Sequence, residues 1–361
     1  MAKRGINRRE FLTASGLFGL GIASPALLSL IEYRQAEAAQ GKTLKAAMSS
    51  AGLAGTWNAE GQKAAMYFGK LLGVEITWFD GEFDPSKQRA KFDQIATQKW
   101  DFVAVQPNSI GTLKEPIQAI AKAGIPVIDM DTLIVPLQEL YDLGVLTFIA
   151  PNNVFMAESV TSKLVEKLGG KGKVAHIWGQ QGHTGAQARA QGFKNYVKKY
   201  PDINVVAEEF GDWDVNKVAG LTQTILNKNP DLAGIYCHND DMALAAQKVV
   251  ADAGLTKQVT IVGIDAMQPA MQAVKDGKLA ATARNSTTRI HGWAVFAGVF
   301  AATAGLDKAR SQIPQFILAD GPAIYGDIDT NPELAKEPWK LSNYGQSPVP
   351  GLIWAADNFL F

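Results

Sequence analysis

Residues 232–250 have the sequence LAGIYCHNDDMALAAQKVV, and this stretch decides the fold class. The apolar run 232–237 predicts a buried strand, which ends in the polar residues 238–241. From Met242 onward, apolar residues recur at helical spacing, so the pattern predicts a helix immediately after the strand. A strand that leads directly into a helix is typical of parallel α/β sheets.

Two further strands follow this unit, and both also end in polar residues. Apolar residues predict strands at 259–264 and 278–283, after which come Asp265 and Asn285. Ligands of an open parallel sheet bind outside the carboxyl ends of its strands, so we expect both side chains to lie beside Asn239. Carboxylates accept hydrogen bonds, and amides both donate and accept them. The three residues therefore predict a site for hydroxyl groups.

The rest of the chain shows the same alternation in two runs, one before Ala150 and one after it. Two runs of alternating strands and helices predict an α/β fold with two doubly wound parallel-sheet lobes. The helix at 290–304 is surplus to the second run, and we expect it to return to the first. The predicted first lobe is 43–150 plus 286–316, and the predicted second lobe is 151–285 plus 317–361.

Three chain segments should join the two lobes, near residues 150–152, 284–286 and 315–317. Hinges are a few element-terminal residues that absorb backbone rotation, so these segments predict a three-segment hinge. Residues 321–361 contain several prolines and follow neither a strand nor a helix period. They predict an irregular, packed C-terminal tail.

The first 38 residues have the features of an export signal. A positive head precedes an apolar run at 11–31, and Ala36-Glu37-Ala38 matches a signal-peptidase site. The order Asn7-Arg8-Arg9-Glu10-Phe11-Leu12 resembles the twin-arginine signal, with Asn7 where serine or threonine is commoner. We therefore predict a twin-arginine signal peptide at 1–38, cleaved near Ala38, and a periplasmic mature protein. The alternative is a membrane anchor.

The charge balance and the single cysteine exclude several classes of protein. Lys plus Arg and Asp plus Glu number 35 each, so no basic surplus points to a nucleic-acid partner. Cys237 is the one cysteine, and a disulfide framework is therefore excluded. Its place within a predicted core strand favours a buried small hydrophobe over a reactive thiol.

Known catalytic and metal-binding motifs do not fit the sequence. The glycine-rich run 169–173 precedes a strand, whereas a phosphate-binding loop follows one. The four histidines are scattered, no cysteine cluster exists and no G-x-S-x-G motif is present. Runs that begin like calcium loops at Asp212 and Asp327 have Lys217 and Pro332 at the glycine position. We expect no catalytic residues, no metal and no cofactor.

Residues 43 to about 318 resemble the ribose/galactose-type periplasmic sugar-binding proteins, the soluble receptors of ABC importers. The motifs that carry this resemblance are VIDMD at 127–131, RAQGF at 189–193, HNDDMA at 238–243, VGID at 262–265 and DGKLAAT at 276–282. The resemblance implies the type I periplasmic binding protein fold and a ligand held between its two lobes. It also implies a partner, the permease of an ABC importer in the inner membrane.

The resemblance also implies which side chains contact the sugar. Asp131 and Asp265 would accept hydrogen bonds from hydroxyl groups, and Asn239 and Asn285 would both donate and accept. Arg189 would span hydroxyl or ring oxygens, and Trp213 would stack on the sugar. Without the resemblance, the carboxylates and Asn239 could be helix caps, Arg189 a surface charge and Trp213 a core residue.

The sequence departs from the family pattern in the first lobe. Thr132 stands where the family usually has an arginine after the aspartate. The loop 51–56 lacks the usual Asn-Pro and aromatic residues, and Trp57 is expected to supply the ring instead. A pentose, tetrose or linear polyol is therefore as plausible a ligand as a hexose.

The resulting prediction is a monomeric, non-catalytic receptor for a monosaccharide or small polyol. One alternative is a sensor partner for a membrane signalling receptor, which the sequence does not separate from transport. A second is an exported enzyme acting on a carbohydrate, for which no catalytic group is found. A repressor-type regulator would need an N-terminal helix-turn-helix, and an export signal occupies that position.

Overall fold

The computed structural model describes residues 25–319 and the short strand 323–325, with side chains described from Ile31 to Ala319. A helix, α1 (Pro25–Ala39), precedes the first lobe. The strands of that lobe are β1 (Leu44–Ser50), β2 (Val74–Asp80), β3 (Phe102–Val105), β4 (Val127–Met130) and β5 (Thr147–Ala150). The helices between them are α2 (Thr56–Leu71), α3 (Pro85–Ile95), α4 (Lys114–Lys122) and α5 (Leu137–Leu140).

The second lobe continues the alternation. Its helices are α6 (Asn153–Lys167), α7 (Thr184–Val197), α8 (Val215–Lys228), α9 (Asp240–Asp252) and α10 (Gln268–Lys275). Its strands are β6 (Gly172–Trp178), β7 (Ile203–Phe210), β8 (Leu232–Cys237), β9 (Thr260–Val262) and β10 (Ala281–Ala283). The chain then forms α11 (Thr287–Ala304), α12 (Leu306–Gln312), β11 (Phe316–Leu318) and β12 (Ala323–Tyr325).

Each lobe is built on one sheet. The first sheet has the order β11-β5-β4-β3-β1-β2, and all its pairings are parallel. The second has the order β12-β10-β9-β8-β6-β7, in which β12 alone pairs antiparallel among the described strands. The predicted fold class, two doubly wound parallel-sheet lobes, is confirmed.

Helices cover both faces of each sheet, which explains why central strands such as β3 and β8 are apolar throughout. Along β3, Phe102 and Ala104 pack into one hydrophobic cluster, whereas Val103 and Val105 pack into another on the opposite face. In β8, Ile235 likewise belongs to a different cluster from its neighbour Tyr236 in the second lobe. Successive side chains of a strand point to opposite faces, so a strand buried on both sides has no polar face to show.

Helix α11 packs in the first lobe although it follows the second lobe in sequence. It is apolar on all sides, and its residues belong to the first-lobe core together with β3 and α2. Gly298 has no side chain at the point where α11 meets the ring of Phe102, and this lets the helix approach the sheet closely. Among the described residues, no helix combines the length and apolarity needed to cross a membrane.

One lobe boundary and part of the predicted tail differ from the sequence prediction. The predicted lobe boundary between residues 316 and 317 falls inside β11, which pairs with β5 up to Leu318 and so belongs wholly to the first lobe. A three-residue strand is too short to show a period, so the sequence could not place this crossing. The irregular tail was predicted over residues 321–361, but residues 323–325 form β12, which pairs with β10; the rest of that range lies outside the described residues.

Helix α1 contacts the first lobe, although it overlaps the predicted signal peptide. Ile31 is buried in the first-lobe core. The guanidinium of Arg34 is also buried and donates to the carbonyl oxygens of Leu72 (3.3 Å) and Lys42 (3.1 Å). The carbonyls at the end of a helix lack intrahelical partners, so Arg34 satisfies the C-terminal end of α2. In the full-length chain, residues ahead of Ala38 therefore pack on the fold.

We predict that alanine destabilises the protein at Gly298, where it would meet Phe102, but stabilises it at Gly220. A Cβ at residue 298 would lie 2.2 Å from Phe102 Cδ2, and overpacking a core costs about 1–3 kcal/mol. Gly220→Ala is the matched control, because this exposed position of α8 has nothing within 4 Å of an added Cβ. It should stabilise the protein by about 0.5–1 kcal/mol through helix propensity. Urea unfolding measures both effects, and an unchanged midpoint for Gly298→Ala would contradict the close packing.

Candidate functional site

A pocket lies between the lobes, where the carboxyl ends of the two sheets face each other. It is lined mainly by polar and aromatic side chains, which come from both lobes. This is the position at which open α/β sheets bind ligands. The lining residues are Ala51, Gly55, Trp57, Asn58, Phe83, Gln106, Asp131, His183, Arg189, Trp213, Asn239, Asp241, Asp265 and Asn285.

Arg189 holds the second-lobe half of the pocket together. Its Nε donates to Asn153 Oδ1 at 2.8 Å, its Nη1 donates to the carbonyl oxygen of His238, and its Nη2 donates to Asp265 Oδ1 at 3.1 Å. Arg189 and Asp265 are 5% and 6% exposed, so their ion pair is almost wholly removed from water. The guanidinium therefore joins the start of α6 to the ends of β8 and β9.

Two asparagines complete this half. Asn239 caps α9, because its side chain accepts a hydrogen bond from the backbone N–H of Met242 at 3.0 Å. The capping alternative raised by the sequence is therefore correct for Asn239, which nevertheless also lines the pocket. Asn285 follows β10, and its Nδ2 donates to Asp265 Oδ1 at 3.2 Å. Both amides are buried against protein on one side and face the pocket on the other.

Asp131 is the carboxylate of the first-lobe half. Its Oδ2 accepts hydrogen bonds from Gln106 Nε2 at 3.0 Å and from Thr132 Oγ1 at 3.2 Å. Gln106 directly follows β3 and also accepts from the backbone N–H of Ala51 at 3.1 Å. The ends of β1, β3 and β4 are thus connected through one amide and one carboxylate.

Phe83 and Trp213 are supplied by two loops that repeat the same structure. Gly81-Glu82-Phe83-Asp84 follows β2, and Gly211-Asp212-Trp213-Asp214 follows β7. In both loops the acidic and aromatic residues have positive φ, and the final aspartate caps the next helix. Each loop stands at the edge strand of its own sheet, so the two aromatic rings approach the pocket from opposite lobes.

A glycine lies beneath each of these aromatic rings. A Cβ on Gly52 would lie 2.6 Å from Phe83 Cδ2, and one on Gly179 would lie 2.0 Å from the Trp213 ring. The rings can therefore lie flat on the backbone that follows the adjacent strand, and any larger residue would push them into the pocket. Ring position is in this way determined by the neighbouring loop.

Trp57 reaches the pocket from the first turn of α2. Its Nε1 donates to the carbonyl oxygen of Asn285 at 3.0 Å, and its ring centroid lies 5.2 Å from that of His291. Thr287 Oγ1 donates in turn to the carbonyl oxygen of Trp57 at 2.9 Å. Trp57 is therefore hydrogen-bonded to the segment after β10, where the chain returns to the first lobe. These bonds fix its position at the pocket.

Hydrogen bonds cross the cleft at several places. Thr56 Oγ1 donates to Asp241 Oδ1 at 2.8 Å, and Gln180 Nε2 donates to the carbonyl oxygen of Phe83 at 3.0 Å. On the other flank, the N–H of Leu133 donates to Thr184 Oγ1 at 3.0 Å. These contacts require the two lobes to be close together, so the described conformation is closed.

Several pocket residues have backbone conformations that disfavour side chains. The φ angles of Phe83, Asp131, Trp213 and Asp265 are 52°, 59°, 62° and 127°. Residues with such angles carry roughly 1–3 kcal/mol of strain each and persist only where surrounding contacts hold them. Strain of this kind clusters at binding sites, and here it falls on the pocket side chains of both lobes.

Burial dominates the electrostatics of the pocket. It raises the pKa of the Asp265 carboxyl, and the nearby positive charge of Arg189 offsets part of that rise. The pKa of Asp240, just below the pocket, is raised to about 7, mainly because the carboxyl is buried. The pKa of His183 falls to about 4, since burial outweighs the favourable effect of Asp131. Near neutral pH the His183 imidazole is therefore uncharged.

Three buried acceptor atoms in the pocket have no hydrogen-bond partner among the described residues. They are Asp131 Oδ1, Asn285 Oδ1 and Asn58 Oδ1. A buried polar atom without a partner costs about 1–3 kcal/mol, so a ligand that brings hydrogen-bond donors removes that cost. Hydroxyl groups are such donors. Within residues 31–319, no group of three or more His, Cys, Asp or Glu side chains could hold a metal ion.

The structure brings together all seven residues named from the sequence, since each of them lines the pocket. The sequence analysis missed Phe83, Gln106 and His183. Gln106 stands at a strand end, the feature used to find Asn239. Phe83 could have been found from the repeat of Gly, acid, aromatic and Asp at 81–84 and 211–214. His183 carried no sequence signal, because its role depends on contact with the opposite lobe.

A polar pocket between two doubly wound lobes defines a bilobal solute-binding protein. The periplasmic binding protein domain family matches residues 46–304, and the chain belongs to this family. Its relatives include the D-allose-binding periplasmic protein of Escherichia coli K12, which is 32% identical over 256 residues, 70% of this chain and 82% of the relative.

Two further relatives extend the comparison. The xylitol-binding protein of Mycolicibacterium smegmatis is 28% identical over 230 residues, 63% of this chain and 64% of that protein. The crystal structure of an ABC transporter solute-binding protein from Agrobacterium vitis, bound with alpha-D-tagatopyranose, matches with a TM-score of 0.73 and 27% identity. That match covers 81% of this chain and 98% of the other. Together they support a type I periplasmic sugar-binding protein.

The burial of Arg189 predicts a large stability effect. Arg189→Met should lower the free energy of unfolding by about 3–5 kcal/mol, because it leaves Asp265 buried without its partner. Arg89→Met is the control, since Arg89 pairs with Asp93 and Glu115 on the surface. A surface pair contributes about 0–1 kcal/mol. Urea unfolding of both variants makes the comparison, and equal losses would show that the Arg189 contacts are not structural.

Proposed function

We propose that this protein is a periplasmic receptor that binds a neutral monosaccharide or small polyol between its lobes and delivers it to an ABC importer. The observation that carries the proposal is the pocket between the lobes, which is lined by Asp131, Asp265, Asn239 and Asn285 and in which Asp131 Oδ1 and Asn285 Oδ1 have no hydrogen-bond partner among the described residues. Its relatives bind D-allose, xylitol and alpha-D-tagatopyranose, all of which are neutral and rich in hydroxyl groups.

The charge of the pocket supports a neutral ligand. Asp131, Asp241 and Asp265 line it, and Arg189 is the one cationic side chain among the lining residues. The charge of Arg189 is paired with Asp265, and three of its five N–H groups donate to Asn153, His238 and Asp265, so Asp131 and Asp241 are the lining charges without a cationic partner among the lining residues. A sugar phosphate or a sugar acid would therefore be repelled.

The groups in the pocket bind rather than react. The Cys237 thiol lies buried in β8, where burial raises its pKa and keeps it a thiol. The imidazole of His183 has both ring nitrogens engaged with protein groups. We therefore assign the protein no catalytic turnover. We also infer a monomer, because the pocket is complete within one chain.

Export by the twin-arginine route accounts for the periplasmic site of action. The N-terminal order Arg8-Arg9-Glu10-Phe11-Leu12 ahead of a weakly apolar run supports this route. Cleavage after Ala38 would remove most of α1, and the contacts of Arg34 with the first lobe would then be lost. Delivery to the permease requires the periplasmic side of the membrane.

Calorimetry with D-allose, xylitol and D-tagatose tests the ligand class. Asp265→Ala should weaken binding by about 2–5 kcal/mol, since it removes a buried acceptor and leaves Arg189 unpaired. That range is about 30-fold to several-thousand-fold in Kd. Asp276→Ala, an exposed carboxylate beyond α10, is the control and should change Kd by less than about twofold.

D-glucuronate serves as the charged comparison in the same calorimetry. It should produce no binding heat, because its carboxylate would face the aspartates of the pocket. Tight binding of D-glucuronate together with no binding of the three neutral compounds would refute the proposed ligand class. A loss below about threefold for Asp265→Ala would instead refute the assignment of Asp265 to the site.

Replacing Arg8 and Arg9 together by lysine should hold the protein in the cytoplasm as a precursor, because the twin-arginine route requires the arginine pair. Fractionation and the size of the accumulated product measure this. Lys3→Arg with Arg4→Lys keeps the positive head and serves as the control. Normal periplasmic accumulation of the double-lysine variant would show that another export route suffices.

A further inference from the structure

Thr132 and His183 form a buried contact between the lobes. Thr132 follows β4 in the first lobe, and His183 immediately precedes α7 in the second. Their Oγ1 and Nε2 atoms are 2.8 Å apart. Thr132 is fully buried and His183 is 5% exposed, which separates this contact from the solvent-exposed bond of Thr56 to Asp241 on the other flank.

The hydrogen bonds around His183 determine which nitrogen carries the proton. The backbone N–H of Ala186 donates to Nδ1 at 3.2 Å, so Nδ1 must be the bare nitrogen of a neutral ring. Nε2 then carries the hydrogen and donates it to Thr132 Oγ1. The Thr132 hydroxyl is left to donate its own hydrogen to Asp131 Oδ2, at 3.2 Å.

The result is a directed chain from the second lobe to the first-lobe carboxylate. Because Gln106 also donates to Asp131 Oδ2, both of these bonds fall on the same oxygen. The other oxygen, Oδ1, has no partner among the described residues and belongs to the pocket. The rings of His183 and Trp213 meet in a T-shaped arrangement with 5.2 Å between centroids, so the imidazole has little freedom to turn away.

We propose that Thr132 and His183 are positioning residues, whose hydrogen bond favours the closed state and turns one oxygen of Asp131 toward the ligand. The link acts through Asp131 and through lobe closure, and neither residue needs to react. This proposal rests on the proposed function only in that closure traps the sugar. A ligand that reaches Asp131 Oδ1 meets a carboxylate that closure has already oriented.

Closure should also become weaker in acid. The groups facing His183 are Asp131, which favours the charged ring, and Arg189 and His238, which oppose it. In the closed state the pKa of His183 is about 4, below the ordinary value of about 6.5 expected when the lobes separate. A lowered pKa means that closure is fully favoured above about 6.5 and is progressively lost as the pH falls toward 4.

Distance measurements on the ligand-free protein test the proposal without using any sugar. Spin labels on Lys63→Cys in α2 and Lys248→Cys in α9 report lobe separation, because both side chains are largely exposed and lie on opposite lobes. Cys237 is buried, so it should not take a label. The ratio of short to long distances gives the closed-to-open ratio.

Three substitutions in the spin-labelled protein separate the effect of the Thr132–His183 hydrogen bond from the effect of helix capping by His183. His183→Asn keeps an acceptor for the N–H of Ala186 but does not reach Thr132, and Thr132→Val removes the hydroxyl with little change of shape. Each should lower the closed-to-open ratio about fivefold, the equivalent of one hydrogen bond. The double variant should lose no more than either single one, and Thr132→Ser should restore the ratio.

A change from pH 7.5 to pH 5 should lower the ratio in the parent protein more than in His183→Asn. Ratios that are unchanged in both His183→Asn and Thr132→Val would overturn the proposal. A parent protein with no closed population at pH 7.5 would overturn it too, because the link would then be too weak to favour closure. Failure of all sugars to bind would refute the proposed function and leave these ratios intact.

Discussion

The second-lobe half of the site depends on the hydrogen bonds of the Arg189 guanidinium. This guanidinium bonds Asn153 Oδ1, the carbonyl oxygen of His238 and Asp265 Oδ1 at once, and thereby joins three separate chain segments. A buried charge is tolerated only when it is paired and hydrogen-bonded, so each partner must stay where it is. The position of Asp265 then determines that of Asn285, whose amide donates to the same carboxylate oxygen.

Sheet geometry supplies the second constraint. In both lobes the strand ends meet at one edge, and the edge strands β2 and β7 each end in a loop of Gly, acid, aromatic and Asp. The aromatic side chains need positive φ to reach the pocket, and the capped helices that follow hold them there. The two lobes thus contribute equivalent aromatic residues from equivalent positions, while their polar residues differ.

Predictability depended on whether polar residues mark the end of a strand. Asn239, Asp265 and Asn285 were placed near strand ends because an apolar run followed by a polar turn is a local signal, even though β9 and β10 have only three residues each. Helix α11 was assigned to the first lobe because the second already had its helices. The crossing after β11 was misplaced, since three residues show no period. Asn239 is both a helix cap and a pocket residue, so the two alternatives considered for it do not exclude each other.

The sequence by itself determined the α/β class, the two lobes and the strand-end polar residues, because hydrophobic periodicity and turn chemistry are local properties of the chain. Only the tertiary structure decided that Phe83 and Trp213 line the same pocket and that Thr132 meets His183 across the cleft. These pairs are separated by 130 and 51 positions in sequence, and their placement at one cleft depends on how the two sheets approach each other. No local pattern encodes that approach, since it follows from the packing of both lobes together.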